Sequence, residues 1–361
     1  MSDNLQLSVV VPACDSEATL SQTLAAIRAS AIPRRAYELI VIDDVSSDAS
    51  VAIAARYADT VVKLSGRRGG PGYARNRGAE LARGSNLAFV DPDVVVRPET
   101  LPTMLRILNE RSEIDAVSAS HDARGPANFV SQYWNLLLRF GEERHAGQCA
   151  QFAFGCGTIR RNAFLGAGMY DEWRFVSGCL ESAELGERLR ERGHRVLLSS
   201  ELGVTHLRRW DLRSVSREVW RRSRLLARSL GYTRMSSSVP SEVVFTLTRA
   251  LAPAVALLGT LSLVAAFLPP RHTAAKIGLA LAVVLTPNLP VHAFYTRARG
   301  LGFALAAMPL HLLAQLIAGL ALCIGWILRD ALGDPSPDAT TQAYSEVGLE
   351  IWPPVPRKLP R

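Results

Sequence analysis

Short, nearly unbroken apolar runs near the start of the chain limit most strongly what it can fold into. Leu7–Val11, Tyr37–Ile42 and Leu87–Val90 are too short for ordinary helices and too apolar for strands with one wet face. Between them lie stretches of helical length. The first, Glu17–Ser30, has Asp15 or Ser16 as its cap and is broken at Pro33; the second runs from Ser47 or Asp48 to Tyr57; the third is Tyr73–Leu81. Thr60–Lys63 adds a short third strand. Strand alternating with helix argues for a parallel, doubly wound α/β sheet, with Pro12 stopping its first strand. Downstream, Pro98 opens a helix over Glu99–Asn109. Strands are expected at Ala116–Ser120, Phe152–Arg160, Arg195–Leu198 and Gly203–Thr205, and helices at Arg161–Leu165 and Glu181–Arg192, the second ended by Gly193.

Leu87–Val90 ends on Asp91 and Asp93, held apart by Pro92. Alternate residues of an extended chain point the same way, so both carboxylates face a cleft at the carboxyl end of a strand, where α/β sheets bind ligands. Adjacent carboxylates repel unless a cation sits between them, and Mg²⁺ or Mn²⁺ suits such oxygen ligands. A plain Asp-Pro turn carries the same letters, so the pair alone decides nothing. The loop Gly66–Gly72 precedes a helix and is flanked by Arg67, Arg68, Arg75 and Arg77. It reads as a phosphate-binding loop or as an ordinary surface loop, and no Gly-Lys-Ser/Thr follows to make it a P-loop.

The net charge of +8 favours anionic partners, phosphorylated substrates or an anionic membrane face. Nucleic acid is not among them, because the arginines are not interleaved with aromatics in a binding module. The five cysteines are odd in number and lack C-x-x-C spacing, as reduced thiols do. Met1–Leu7 has neither a basic n-region nor a long apolar run, so no cleaved signal peptide is expected. Phe129–Phe140 is aromatic and fits either a buried core helix or a membrane-surface helix. Asp211–Tyr232 is one helix with Leu212, Val215, Val219, Leu226 and Leu230 on one face and arginines around the rest. That pattern suits an anionic leaflet, or a domain-packed helix with a solvated basic face. The hydrophobic excess lies after Ser241. Ala250–Leu268 and Leu301–Leu328 carry no charge and are long enough to span, whereas Ile277–Tyr295 is interrupted by Pro287, Asn288, Pro290 and His292. Asp330–Arg361 is polar and Pro-rich and is expected to be disordered. The chain thus divides into 1–210, an α/β domain; 211–240, a basic interfacial helix and linker; 241–329, two or three transmembrane helices; and 330–361, a tail.

Taken in order, these pieces resemble the family 2 glycosyltransferases, nucleotide-sugar enzymes with the GT-A fold. The resemblance runs from about Leu7 to Trp210. It rests on Val11-Pro-Ala-Cys-Asp, Ile42-Asp-Asp-Val-Ser-Ser-Asp, Gly72-Tyr-Ala-Arg-Asn-Arg-Gly, Phe89-Val-Asp-Pro-Asp, Gly155-Cys-Gly-Thr-Ile-Arg-Arg, Met169-Tyr-Asp-Glu and Thr205-His-Leu-Arg-Arg-Trp. Cys14 and Asp15 replace the family's Tyr-Asn, and Val45 replaces a Gly. The resemblance implies a Rossmann-like GT-A domain followed by an all-α transmembrane region. It implies that Pro12, Asp15 and Asp43 or Asp44 line the nucleotide pocket, which Arg75 and Asp91 also serve. Asp91 and Asp93 would hold the diphosphate through Mn²⁺ or Mg²⁺, Asp93 being the more direct ligand. His206, Arg209 and Trp210 would lie near the diphosphate or the acceptor.

The family's catalytic helix opens Glu-Asp-x-Glu/Asp-Leu, with the Asp as base. This chain reads Glu181-Ser-Ala-Glu-Leu, and a Ser182 hydroxyl is far too weak a base. Glu181 and Glu184 are the remaining catalytic candidates, although Glu184 also sits at i,i+4 spacing from Arg188. The implied activity is inverting transfer of a hexosyl-type sugar from a UDP- or GDP-sugar to a lipid-linked or membrane-presented acceptor. The enzyme would be multi-pass in the cell membrane, with its catalytic domain cytoplasmic. A polyprenyl-phosphate glycosyl synthase, whose anionic acceptor needs little base, is the alternative enzyme. A nucleotide-sugar-binding membrane scaffold is the alternative without catalysis.

Overall fold

The computed structural model describes residues 5–66, 68–144, 147–149, 152, 155–172, 180–229, 286–332 and 349–352. The apolar runs form the middle of its sheet. Strand β1 (Leu7–Ala13) lies between β2 (Tyr37–Asp43) and β4 (Asn86–Val90), all parallel, with β3 (Thr60–Leu64) beyond β2. These strands are covered on both faces, which explains why polar alternation is missing. Side chains still sort by parity. Val9 and Val11 pack with Leu20, Leu24 and Ile27 of α1 (Leu20–Arg28) and Met104 of α4 (Thr100–Glu110). Val10, Ile42 and Phe89 pack on the opposite face with Ala74 and Ala79 of α3 (Gly70–Leu81), Phe164 of α6 (Arg161–Gly166) and Leu185 of α7 (Glu181–Glu191). The short α2 (Ser50–Ala54) joins β2 to β3.

Several local expectations change. Pro12 does not stop β1: the strand runs on to Ala13 beside β2, while β4 pairs with it only as far as Val10. A residue without an N–H stands where the strand has one neighbour. Neither Asp15 nor Ser16 caps α1 with its side chain. Ser16 offers its carbonyl to Thr19 and Leu20, and the Asp15 carboxylate turns to Ser47 and Arg68. The sheet is parallel only through β4. Strand β8 (Cys156–Arg160) enters antiparallel between β4 and β6 (Ala116–His121), and β9 (Val196–His206) flanks β6 in parallel, as one strand with a register shift rather than two. Helix α5 (Phe129–Arg144), between β6 and β8, contributes its aromatic residues to a separate core. Short strand β7 (Gly147–Cys149) then pairs with β9.

That separate core joins Tyr133, Trp134, Leu137 and Phe140 of α5 to Trp210, to Val215 and Val219 of α8 (Leu212–Ser229), to Phe294 and Tyr295 of α9 (Leu289–Arg299), and to Ala307, Ala314 and Ala318 of α10 (Leu301–Leu332). The aromatic stretch is therefore a core helix. The C-terminal helical region is built onto the α/β domain, across the boundary expected at residue 210. Among the described residues one helix, α10, is long and apolar enough to cross a membrane, with mean hydropathy 2.0. Ala250–Leu268 lies outside the described residues. Of Ile277–Tyr295 only the part from Thr286 is described: a single 3-10 turn leads into α9, whose 11 residues are too few to cross. The multi-pass arrangement is thus not supported. Nor is the tail without structure throughout, since β10 (Leu349–Trp352) pairs antiparallel with β3, Trp352 opposite Val61.

Gly78 shows how tightly α3 lies on the sheet. A Cβ there would sit 2.3 Å from Val10 Cγ1 and 3.3 Å from Ile42 Cγ1. Gly78→Ala is expected to destabilise the protein by about 1–3 kcal/mol through overpacking, against the gain in helix propensity. A lower urea midpoint at unchanged m would register it.

Candidate active site

Strand registers bring the acidic pair to its partners. Val90 of β4 faces Cys156 of β8, so Asp91 falls beside Gly155 and donates its N–H to that carbonyl at 2.8 Å. Gly155 has φ +71°, and a Cβ there would meet Val94 Cγ2 at 3.0 Å and His121 Nε2 at 3.5 Å, so glycine is required at the floor. The Pro92 carbonyl accepts the Thr19 and Thr23 hydroxyls, both at 3.0 Å, tying the turn to α1. Beyond it, β5 (Val94–Val95) runs antiparallel to the end of β9 with Val94 opposite His206. Asp93 and His206, remote in sequence, become neighbours, with Nε2 3.3 Å from Oδ2. On its other side the ring meets Asn135 Oδ1 at 3.2 Å from Nδ1, which fixes its orientation.

The two carboxylates are not equivalent. Arg75, buried in α3, reaches Asp91 Oδ1 with Nη2 at 2.6 Å and Glu181 Oε1 with Nη1 at 3.0 Å. One guanidinium fork thus ties the D-x-D turn to the first residue of α7. Burial raises the Asp91 carboxyl, and Asp93 and Glu181 push the same way against the pull of Arg75. Burial would raise Asp93 too, but His206 and Arg208 outweigh it and hold that carboxyl below the usual range. Beneath them His121 and Glu142 form a buried pair, Nδ1 to Oε1 at 2.5 Å, and the His121 ring lies edge-on to His206 at 5.5 Å. Burial alone would lower His121, yet Glu142 raises it.

A cleft of about 1090 Å³ runs over this centre. At one end stand Pro12, Cys14, Asp15, Asp44 and Arg68. Asp44 accepts the N–H groups of Gly69 and Gly70 at 2.8 and 2.7 Å, so the glycine-rich loop enters α3 through a carboxylate at its N-terminus. Asp15 accepts the Ser47 N–H at 2.8 Å and pairs with Arg68, and those contacts hold its carboxyl low. Burial pushes the Cys14 thiol up to about 11. Asp43 is buried, accepts the Ser46 N–H at 3.2 Å and does not line the cleft, so of the two alternatives Asp44 is the cleft residue. Val45 keeps φ +58°, the left-handed turn of a glycine carried by a β-branched residue.

At the other end stand Arg208, Arg209, Trp210, Glu218, Arg221 and Arg222. Trp210 is buried against Trp134, with ring centroids 5.5 Å apart, and the Arg208 guanidinium lies 4.1 Å over its ring. Trp210 also bonds Ser131 and Asn128 through its backbone, which anchors α8 to α5. Glu184 is bound to Arg188, Nε to Oε1 at 2.8 Å, and is not a cleft residue. The ion-pair alternative for Glu184 thus holds, and Glu181 is the carboxylate of α7 in the cleft.

Asp93 and His206 offer one carboxylate and one imidazole, a mixed donor pair that fits Mn²⁺ more readily than Mg²⁺, while Asp91 is engaged by Arg75. The 3.3 Å between Asp93 and His206 is close to the roughly 3 Å edge between adjacent ligands of an octahedral ion. No ready-made cluster of three or more His, Cys, Asp or Glu ligands occurs among the described residues, so remaining positions would fall to water or phosphate oxygens. Sequence reasoning missed His121 and Glu142, which have no motif around them, and Arg208, which lies inside the Thr205–Trp210 motif beside the Arg209 that was chosen. It read the arginines of α8 as facing an anionic leaflet or solvent, and missed that Arg221 and Arg222 line the cleft.

Glu218 anchors the basic end, pairing with Arg221 at 2.8 Å and Arg222 at 2.6 Å. Burial would raise its carboxyl, but the two guanidiniums bring it from 4.5 down to about 2. A carboxyl more acidic in the folded state contributes stability that is complete above the unfolded value and lost as pH falls through the folded one. Glu218→Gln is expected to cost about 3 kcal/mol at pH 7 and to flatten the loss of stability between about pH 5 and pH 2. Urea midpoints across that range measure both effects.

Comparison with known proteins is consistent with this geometry. Residues 8–166 match the sequence model of Glycosyl transferase family 2, which takes in Asp44, Arg75, Asp91 and Asp93 but not Glu181 or His206. A dodecaprenyl-phosphate galacturonate synthase of Rhizobium johnstonii is 27% identical over 198 residues, 51% of this chain and 58% of that protein. A poly(ribitol-phosphate) beta-glucosyltransferase of Bacillus spizizenii is 32% identical over 102 residues, 27% of this chain and 16% of its own length. The chain therefore spans only part of the curated relatives it matches. Among solved structures, a mannosyltransferase from Pyrobaculum calidifontis in complex with GDP-Man and Mn²⁺ superposes with a TM-score of 0.59 at 18% identity, covering 84% of this chain and 87% of that one. It shares the fold: a mixed α/β, Rossmann-like domain with a C-terminal helical region.

Proposed function

We propose that the chain transfers a sugar, with inversion, from a nucleotide-diphosphate sugar to an acceptor presented at a membrane. One observation carries this: a single cleft joins the Asp91–Asp93 turn to Glu181 and to an arginine-rich end. The nucleotide would lie at the Pro12, Asp15, Asp44 and Arg68 end, where carboxylates and backbone groups can bond base and ribose. The diphosphate would reach Asp93 and His206, where a bound Mn²⁺ or Mg²⁺ would supply Lewis-acid stabilisation of the leaving charge. Asp91, neutralised by Arg75, positions the turn. The sequence match to the glycosyltransferase family and the activities its relatives are named for support transfer as the reaction class.

Glu181 is the group we assign as base. As the acceptor oxygen bonds the anomeric carbon, the bond from that carbon to the diphosphate breaks and the acceptor proton passes to Glu181. Arg75 keeps that carboxylate aimed into the cleft. A second reading is favoured by the other end of the cleft. Arg208, Arg209, Arg221 and Arg222 suit an acceptor that is itself a phosphate, as in the substrate named for the Rhizobium relative. Such an acceptor brings no proton and needs no base.

Two variants test the assignment. Asp93→Asn is nearly isosteric and is expected to abolish metal-dependent donor binding in calorimetry with UDP or GDP and Mn²⁺; unchanged affinity would remove Asp93 from the metal site. Glu181→Gln is expected to bind donor normally and lose about 10²–10⁴ in turnover on a hydroxyl acceptor. Full turnover by that variant on a lipid phosphate selects the second reading.

A further inference from the structure

Helix α10 is apolar enough to cross a bilayer, yet the folded domain accompanies it from end to end. Just before it, Arg299 donates to the Ala123 carbonyl at 2.8 Å. In its first half His311 meets the Tyr133 hydroxyl at 3.1 Å, and Gln315 exchanges bonds with Asn288 at 3.2 and 2.7 Å. Further along, Leu322 packs with Leu180, Ala183 and Leu226, and at Gly325 a Cβ would stand 2.7 Å from the Arg224 carbonyl oxygen. From Leu301 to Gly325 the helix rises roughly 36 Å, more than the ~30 Å of a hydrocarbon core. A span through that core would drag α8 in beside it, with the half-buried ion pairs of Glu218, Arg221 and Arg222. Intramembrane charge on that scale is expensive. After α10 the chain also returns to the main sheet, as β10 on β3.

The other face of α10 is exposed among the described residues. Leu305, Leu316, Leu320 and Ile327 are 56–65% exposed and fall along one line of the helix, and Trp326 stands beside them at 61%. Both faces are apolar, one against protein and one that no described residue covers, which gives α10 the hydropathy of a span. Exposed Arg213, Arg217 and Arg224 line the adjoining α8. We propose that α10 lies in the plane of a membrane, its Leu305–Ile327 stripe sunk into the headgroup–acyl boundary of an anionic bilayer while the arginines of α8 meet the lipid phosphates. Apolar stripe, interfacial Trp and basic flank together match that surface. The inference concerns docking and does not depend on the transfer reaction.

Nitroxide labels test it on the full-length protein. Cysteines introduced singly at Leu305, Leu316 and Ile327, after replacement of Cys14, Cys149, Cys179 and Cys323, would be labelled and bound to phosphatidylcholine vesicles with and without one quarter phosphatidylglycerol. Depth is read from the competing relaxation by oxygen and a nickel chelate. All three labels are expected at one shallow depth, about 5–10 Å below the headgroups, on the anionic vesicles. Leu316→Glu with Leu320→Glu should weaken vesicle binding at least about tenfold while leaving calorimetric nucleotide binding unchanged. A depth that peaks at Leu316 and falls at either side would make α10 a span. Labels that never enter the lipid, with the protein sedimenting as a dimer, would assign the stripe to a second copy of the chain. Either outcome overturns the proposal.

Discussion

A single buried guanidinium holds the candidate site together. Arg75 has almost no exposed surface and spends its fork on Asp91 and Glu181, which come from opposite halves of the fold. Two carboxylates this close would repel each other in a poorly solvated cleft, and the cation between them turns that repulsion into a clamp. The position of α3 under β1 and β2, allowed by the glycine at 78, delivers Arg75 to that point. Removing a charge from such a triad exposes the others to burial without a partner, so its three members act as a unit rather than as separate contributors. It also frees Asp93 to serve a different partner.

The first half of the fold is legible in the sequence because its signals are local. A β-branched run, a turn and a helix of fixed length identify Leu7–Val90 without any distant contact, and the ends of those strands carry Asp44 and Asp91 where ligands bind. The rest was hidden for a reason that is equally physical. The pairing of Asp93 with His206 depends on the register of β5 against β9, a contact made only once β6, β8 and β9 have assembled in an order no local pattern dictates. His121 and Glu142 lie in runs that look like ordinary core. Hydropathy alone does not assign α10, because a periodicity argument sees how apolar a face is, not whether protein or lipid covers it.

The same ambiguity attends the basic helix. Arginines on α8 look from the sequence like a single face turned to lipid, but the structure divides them. Arg221 and Arg222 are held over the cleft by Glu218, while Arg213, Arg217 and Arg224 face outward. One helix thus carries two electrostatic surfaces with different tasks. The surfaces share a rigid element, so an anion bound in the cleft and a charged plane outside the protein would sit at a fixed distance and angle. That geometry suits an acceptor whose reactive head must leave a surface and whose remainder stays in it.

Strand β10 has a consequence of another kind. By laying a late segment of the chain against β3, the fold makes its sheet margin out of residues more than 280 positions apart, and the polypeptide between them becomes a closed circuit. The Asp91–Asp93 turn, Glu181, α8 and α10 lie inside that circuit. Without the late segment, β3 would present a row of open backbone donors and acceptors, the template on which sheets join edge to edge. The tail in this view is a selvedge: it finishes the margin of the sheet and keeps one molecule from being woven into the next.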